Sequence, residues 1–175
     1  MFNDPLILGI KNTFARKMLA SFITHSRVEE TKKNYQAIGG KSPLTAHTLN
    51  LTNKLNELDC KRFYTYAMRY TPPFAYQVLE DIKTQGIQSV VLFSLYPQFS
   101  YSTIASSLID AKAALQKLAF TPTLYEISSY HTHPDYISCI IERIKESLGA
   151  DNPNEFVLLL SAHSLPQSRI DERDT

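Results

Sequence analysis

Residues 87–127 read IQSVVLFSLYPQFSYSTIASSLIDAKAALQKLAFTPTLYEI, and this stretch decides the fold. IQSVVLF at 87–93 is a short apolar, β-branched run that predicts a buried strand. Ile104, Leu108, Ala111, Leu115 and Leu118 then recur at steps of four and three, one apolar face of a helix. TLYEI at 123–127 predicts a second strand. Strand, helix, strand implies a right-handed crossover between parallel strands.

The alternation extends both ways. Upstream, RFYTYAM at 62–68 reads as a strand, and Phe74, Val78, Leu79 and Ile82 mark a helix closed by Gly86. Downstream, Ile137, Ile140, Ile141, Ile144 and Leu148 mark a helix, and FVLLLS at 156–161 predicts a fourth strand. The first third reads as helical. Leu44, Thr48, Leu51, Leu55 and Leu58 form one stripe, with Ser42 suited to the cap and Pro43 to the first turn. Helices are also expected over 5–24 and 28–38, the second ended by Gly39-Gly40. The fold class is α/β, with a parallel sheet flanked by helices.

Composition narrows the function. The 175 residues are 43% apolar and 20% charged, with a net charge of +1. No basic block stands out, which argues against nucleic acid as a partner. Cys60 and Cys139 are far apart and lack a CxxC neighbour, so they predict plain, buried or half-buried thiols in a reducing compartment. No signal-peptide pattern follows Met1. The longest uncharged stretch, 84–109, contains Gly86, Pro97 and many serines and does not suit hydrocarbon. A soluble cytoplasmic protein is expected, with peripheral contact at a membrane surface left open.

Chemistry in an open parallel sheet collects beyond the carboxyl ends of its strands. The segments that follow the four expected strands are 69–70, 95–100, 128–133 and 162–166, and parallel pairing predicts all four on one rim. In the last of them, LSAHSLPQS places His163 two residues past a strand. A neutral imidazole there can bind a borderline metal or accept a proton, although a lone loop histidine is more often structural. His131 and His133 offer two more imidazoles, without a third ligand nearby in sequence for a metal. The serines of 94–107 lack the glycines and lysine of a phosphate loop, and Ser161 lacks the GxSxG context of a nucleophile.

Four segments resemble the ferrochelatases, in that family's order. They are YQAIGGKSPL at 35–44, AMRYTPP at 67–73, LYPQFSYSTIASS at 95–107 and SAHSLP at 161–166. The last is similar to the family's Ser-Ala-His-(Gly/Ser)-Leu-Pro motif, whose histidine is the metal-site residue. The resemblance implies a Rossmann-like, chelatase-like lobe of a normally two-lobed protein, with a porphyrin in the cleft between lobes. It implies insertion of Fe(II) into a dicarboxylic, protoporphyrin-type porphyrin in haem biosynthesis, with iron as substrate and no permanently bound cofactor.

Residue by residue, the resemblance makes His163 the metal ligand or proton acceptor. Tyr35 and Ser42 match positions beside the porphyrin; a helix terminus and an N-cap explain them equally well. Arg69 and Tyr70 match a pair on the active-site side of the sheet, where an arginine could clamp a propionate or simply form a surface ion pair. Tyr96, Gln98 and Ser100 match a polar loop near the macrocycle, with turn chemistry around Pro97 as the alternative, above all for Ser100.

The ends depart from the family pattern. The resemblance implies an apolar first strand and Gly-Gly-Pro turn ahead of Met1. It also implies a second lobe, carrying a glutamate that faces the histidine, beyond Arg173, which stands where the family has glycine. Residues 1–175 are therefore expected to form a single N-terminal lobe, either paired with a second-lobe chain or self-associating. A non-catalytic porphyrin-binding or pairing fragment is the second reading. A cobalt chelatase of the related two-lobed kind fits less well, because those relatives lack the Ser-Ala-His-Ser-Leu-Pro and Tyr-Pro-Gln segments in this form.

Overall fold

The computed structural model describes residues 2–161 together with Gln167 and Ile170. In chain order the elements are α1 (Pro5–Leu8), α2 (Thr13–Ala37), α3 (Leu44–Leu58), α4 (Ala75–Thr84), β1 (Ser89–Phe93), a π-helical turn (Tyr101–Ala105), α5 (Ser106–Lys117), β2 (Thr123–Ile127), α6 (Pro134–Leu148) and a 3₁₀ turn (Pro153–Glu155). The class is α/β, as expected. Its sheet is a parallel pair, β1 beside β2, in register from Ser89 opposite Thr123 to Phe93 opposite Ile127. The chain forms two compact units, Met1–Gln88 with Ile109–Thr121, and Ser89–Leu108 with Pro122–Thr175.

In the first unit the two helices expected over 5–24 and 28–38 are replaced by a short α1 and one continuous α2 of 25 residues. Asn12 supplies the start signal, since its side chain accepts the amides of Phe14 and Ala15 at 3.0 Å. No glycine or proline interrupts 13–37, so the helix runs to Gly39 and Gly40, both at positive φ. The start of α3 is one residue later than expected: Pro43 rather than Ser42 occupies the N-cap position, and the Ser42 hydroxyl accepts the Leu44 amide at 3.3 Å from just outside the helix. The apolar stripe of α3 is not buried as its spacing suggests: Thr48 and Thr52 are buried, while Leu44, Leu51 and Leu58 are exposed. The core of this unit is built on Leu79 and Ile82 of α4 and on Ala111, Ala114, Leu115 and Phe120.

Residues 62–68 do not form the expected strand. A strand exists only through ladder hydrogen bonds, and here the backbone is satisfied otherwise. The Asn56 amide side chain accepts from Tyr64 N at 2.8 Å and donates to Tyr64 O at 2.7 Å, and Met68 N donates to Pro73 O.

In the second unit β1 begins at Ser89, two residues later than expected, and only Val90 is buried along it. Ile104 is fully buried and Ser106 nearly so. The run 156–161 is not a strand either. Val157 is 94% and Leu159 87% exposed; its composition permits a strand but no neighbouring ladder captures it. Helix α6 covers the expected span, with Ile137, Ile140 and Ile141 exposed. The cysteines are free, as expected, but Cys60 and Cys139 are both exposed rather than buried, because each lies on a surface position.

Candidate functional site

The two strand-end segments of the second unit meet. The carbonyl of Pro97, just past β1, accepts the amides of Tyr130 at 2.9 Å and His131 at 3.1 Å, and the Ser129 hydroxyl at 3.3 Å. Proline contributes no amide hydrogen of its own but keeps its carbonyl, which here binds the segment beyond β2. Tyr130 stacks on Phe93 at 4.9 Å between centroids and meets Tyr136 of α6 edge-on at 5.2 Å. Burial, and then the neighbouring Tyr136, raises the Tyr130 phenol above its ordinary range.

Within this rim Tyr96 and Gln98 are exposed, and Tyr96 N donates to the Ser94 hydroxyl at 3.2 Å. Ser100 is half-buried and does turn work. Its carbonyl accepts Thr103 N at 3.3 Å and Ala105 N at 3.2 Å, and its hydroxyl bonds that of Ser102 at 3.1 Å. His131 Nδ1 lies 2.8 Å from the Ser129 hydroxyl. His133 caps α6 by accepting the Asp135 amide at 3.3 Å through Nδ1. The two imidazoles thus have separate structural tasks, and no group of three or more His, Cys, Asp or Glu among the described residues could hold a metal.

The first unit carries the other matched residues. Arg69 donates from Nη2 to Asp4 at 2.8 Å, with Nη1 3.4 Å from Asp110, and its guanidinium lies over the Tyr70 ring. The Tyr70 hydroxyl donates to the same Asp4 oxygen at 3.1 Å. The Asp4 side chain is 4% exposed and also caps α1 by accepting the Leu6 amide at 2.9 Å. A buried carboxylate requires this kind of pairing. Tyr35, in the last turn of α2, lines a cavity of about 380 Å³ with Phe2, Arg27, Val28, Lys32 and Gly40. A neighbouring cavity of about 550 Å³ shares Phe2 and continues along α2 past Ala20, Thr24 and His25. Both are wide open to solvent, with apolar Phe2 and Val28 beside the cationic Lys17, Arg27 and Lys32.

His163 lies outside the described residues, as does the rest of 162–166. Of the four strand-end segments, 95–100 and 128–133 are joined, whereas 69–70 belongs to the first unit. Sequence reasoning missed Asp4, Asp110 and Phe2. The Asp4-Pro5 pair is a helix-start signal that could have located the first; nothing local announces the other two.

The sequence model of the Ferrochelatase family matches residues 1–175. The chain is 99% identical over 174 residues to the ferrochelatase of Helicobacter hepaticus, covering 99% of this chain and 56% of that protein. It is 51% identical to the ferrochelatase of Wolinella succinogenes, over 99% of this chain and 55% of the relative, and 48% identical to that of Helicobacter acinonychis, over 100% and 52%. The chain spans about half the length of the curated relatives it matches. Matched from its first residue to its last, the chain belongs to the ferrochelatase family.

Proposed function

We propose that this chain is the N-terminal-lobe share of an enzyme that inserts Fe(II) into a dicarboxylic, protoporphyrin-type porphyrin, the step that makes haem. The observation that carries the reading is the 99% identity over 174 residues to a ferrochelatase. Insertion requires bending a flat macrocycle, removing two pyrrole protons and delivering Fe(II) to the exposed nitrogens. In this reading His163 binds the metal or accepts a proton, a role open to a neutral imidazole near pH 7. By the resemblance, Tyr35, Ser42, Tyr96, Gln98 and Ser100 match family positions beside the porphyrin, and Tyr35 also lines the cavity along α2. Iron is substrate rather than a resident cofactor.

The second reading, a porphyrin-binding or pairing fragment without turnover, draws on the chain's covering about half of its relatives' length. A facing wall from a second-lobe chain, or from another copy, completes the clamp in either case. No described helix is long and apolar enough to cross a membrane; a cytoplasmic protein with peripheral membrane contact is the finer proposal. A metal-insertion assay on the purified 175-residue chain, with and without an added second lobe, tests both readings. Haem formation only in the mixture supports the first. Porphyrin binding without turnover in either supports the second.

A further inference from the structure

We infer that Arg69 is a positioning residue for the cleft along α2, acting through Asp4 to place Phe2, and does not itself hold a propionate; the cleft's porphyrin role rests on the reading above. Both terminal nitrogens of the guanidinium face carboxylates, Nη2 toward Asp4 at 2.8 Å and Nη1 toward Asp110 at 3.4 Å. With both ends of the fork facing carboxylates, an incoming propionate would have to displace one of them.

The cluster instead holds residues 4–6 in place. Asp4 accepts from Arg69, from the Tyr70 hydroxyl and from Leu6 N, which ties residues 4–6 to the segment at 69–70. One residue earlier, the Asn3 carbonyl accepts Arg16 Nε of α2 at 2.9 Å, and the same guanidinium donates to Ile10 O at 2.8 Å. Phe2 follows directly from these anchors, since two residues reach at most roughly 7 Å. With Thr24 and Val28 it lines both cavities, in the company of Tyr35 in one and Ala20 in the other. Releasing Asp4 frees Phe2 and opens that wall.

The sequence contains no tryptophan, so Phe2→Trp provides a unique fluorescent reporter at the wall. In that background Arg69→Met and Asp4→Asn are each expected to shift Trp emission to the red and to raise acrylamide quenching. The double variant should move it no further than either single one, because both break one link. Arg62→Met, which removes the exposed Asp59 pair on the same unit, should leave it unchanged. If Arg69→Met lowers the helical circular dichroism, Arg69→Lys and Tyr70→Phe, which remove only part of the network, should give smaller shifts in the same direction. An unchanged Trp signal in the Asp4 and Arg69 variants overturns the inference.

Porphyrin titration supplies the second arm. Arg69→Met should weaken the free diacid and its dimethyl ester by the same factor. A loss confined to the diacid assigns Arg69 to the propionate and overturns the positioning role. Run with the second lobe added, a mixture that binds neither porphyrin, while the Trp of the chain responds to Asp4→Asn, keeps this inference and defeats the proposed function.

Discussion

The carbonyl oxygen of Pro97 and the amide nitrogen of Tyr130 are 2.9 Å apart, and this bond joins the segment after β1 to the segment after β2. With the Tyr130 ring stacked on Phe93 and set edge-on to Tyr136, one residue holds the strand-end rim of the second unit by backbone and side chain together. Tyr130→Ala should cost about 2 kcal/mol, a half-buried aromatic's share of a core truncation. Tyr130→Phe should cost little, because the ring contacts remain. Urea unfolding of the three proteins checks the difference; equal midpoints would remove the ring from any structural role.

The same residue sets an alkaline limit. Burial raises the folded-state value of its phenol, so the neutral form is the one the fold favours. Its contribution is complete below the unfolded value near ~10 and is lost as pH rises through the higher folded one. Tyr130→Phe should therefore lose less stability than the parent between pH 9 and pH 12, read from thermal melts across about that range.

Asp59 acts at the acid end. The Lys61 amide, then Arg62 and the Tyr64 hydroxyl, hold its carboxylate below the ordinary value. Its contribution is present above the unfolded value near ~3.9 and fades as pH falls through the lower folded one. Asp59→Asn should flatten this part of the acid limb below about pH 4 while leaving the neutral region nearly unaffected. An acid limb identical to the parent's would show that these bonds do not persist in solution.

Asn12→Ala should destabilise α2 by about 1 kcal/mol, since two amides lose their acceptor at the start of the helix. Asn12→Asp, which keeps the acceptor and adds charge at the positive end, should match or exceed the parent. Helical circular dichroism through thermal unfolding checks both.

His163→Ala should abolish metal insertion in whichever assembly is active, because no other histidine on the expected strand-end rim matches a motif of the family. Normal turnover by that variant would sink the assignment. The purified 175-residue chain alone is expected to bind porphyrin weakly or not at all, to form no measurable haem and to self-associate, given exposed Phe14, Met18, Phe22 and 156–160. Size-exclusion chromatography with a porphyrin titration checks this; a monomer producing haem steadily would refute it.

What the sequence by itself determined was local. The α/β class, β2 at 123–127, the helices on Leu108 to Leu115 and on Leu79 to Ile82, and the glycine stop of α2 all follow from periodicity and termination chemistry within a few residues. The family, too, was legible, because four short motifs recur in order.

Tertiary structure decided which candidates acquire partners. RFYTYAM and FVLLLS have strand composition, yet a strand needs a neighbour's amides and carbonyls, and Asn56 satisfies Tyr64 in place of a ladder. Arg69 could have faced a ligand or an ion pair on composition alone. Its setting depends on Asp4, 65 residues earlier, and on Asp110. Charge pairing across such separations is a matter of distance in space, and no periodicity in the chain encodes it.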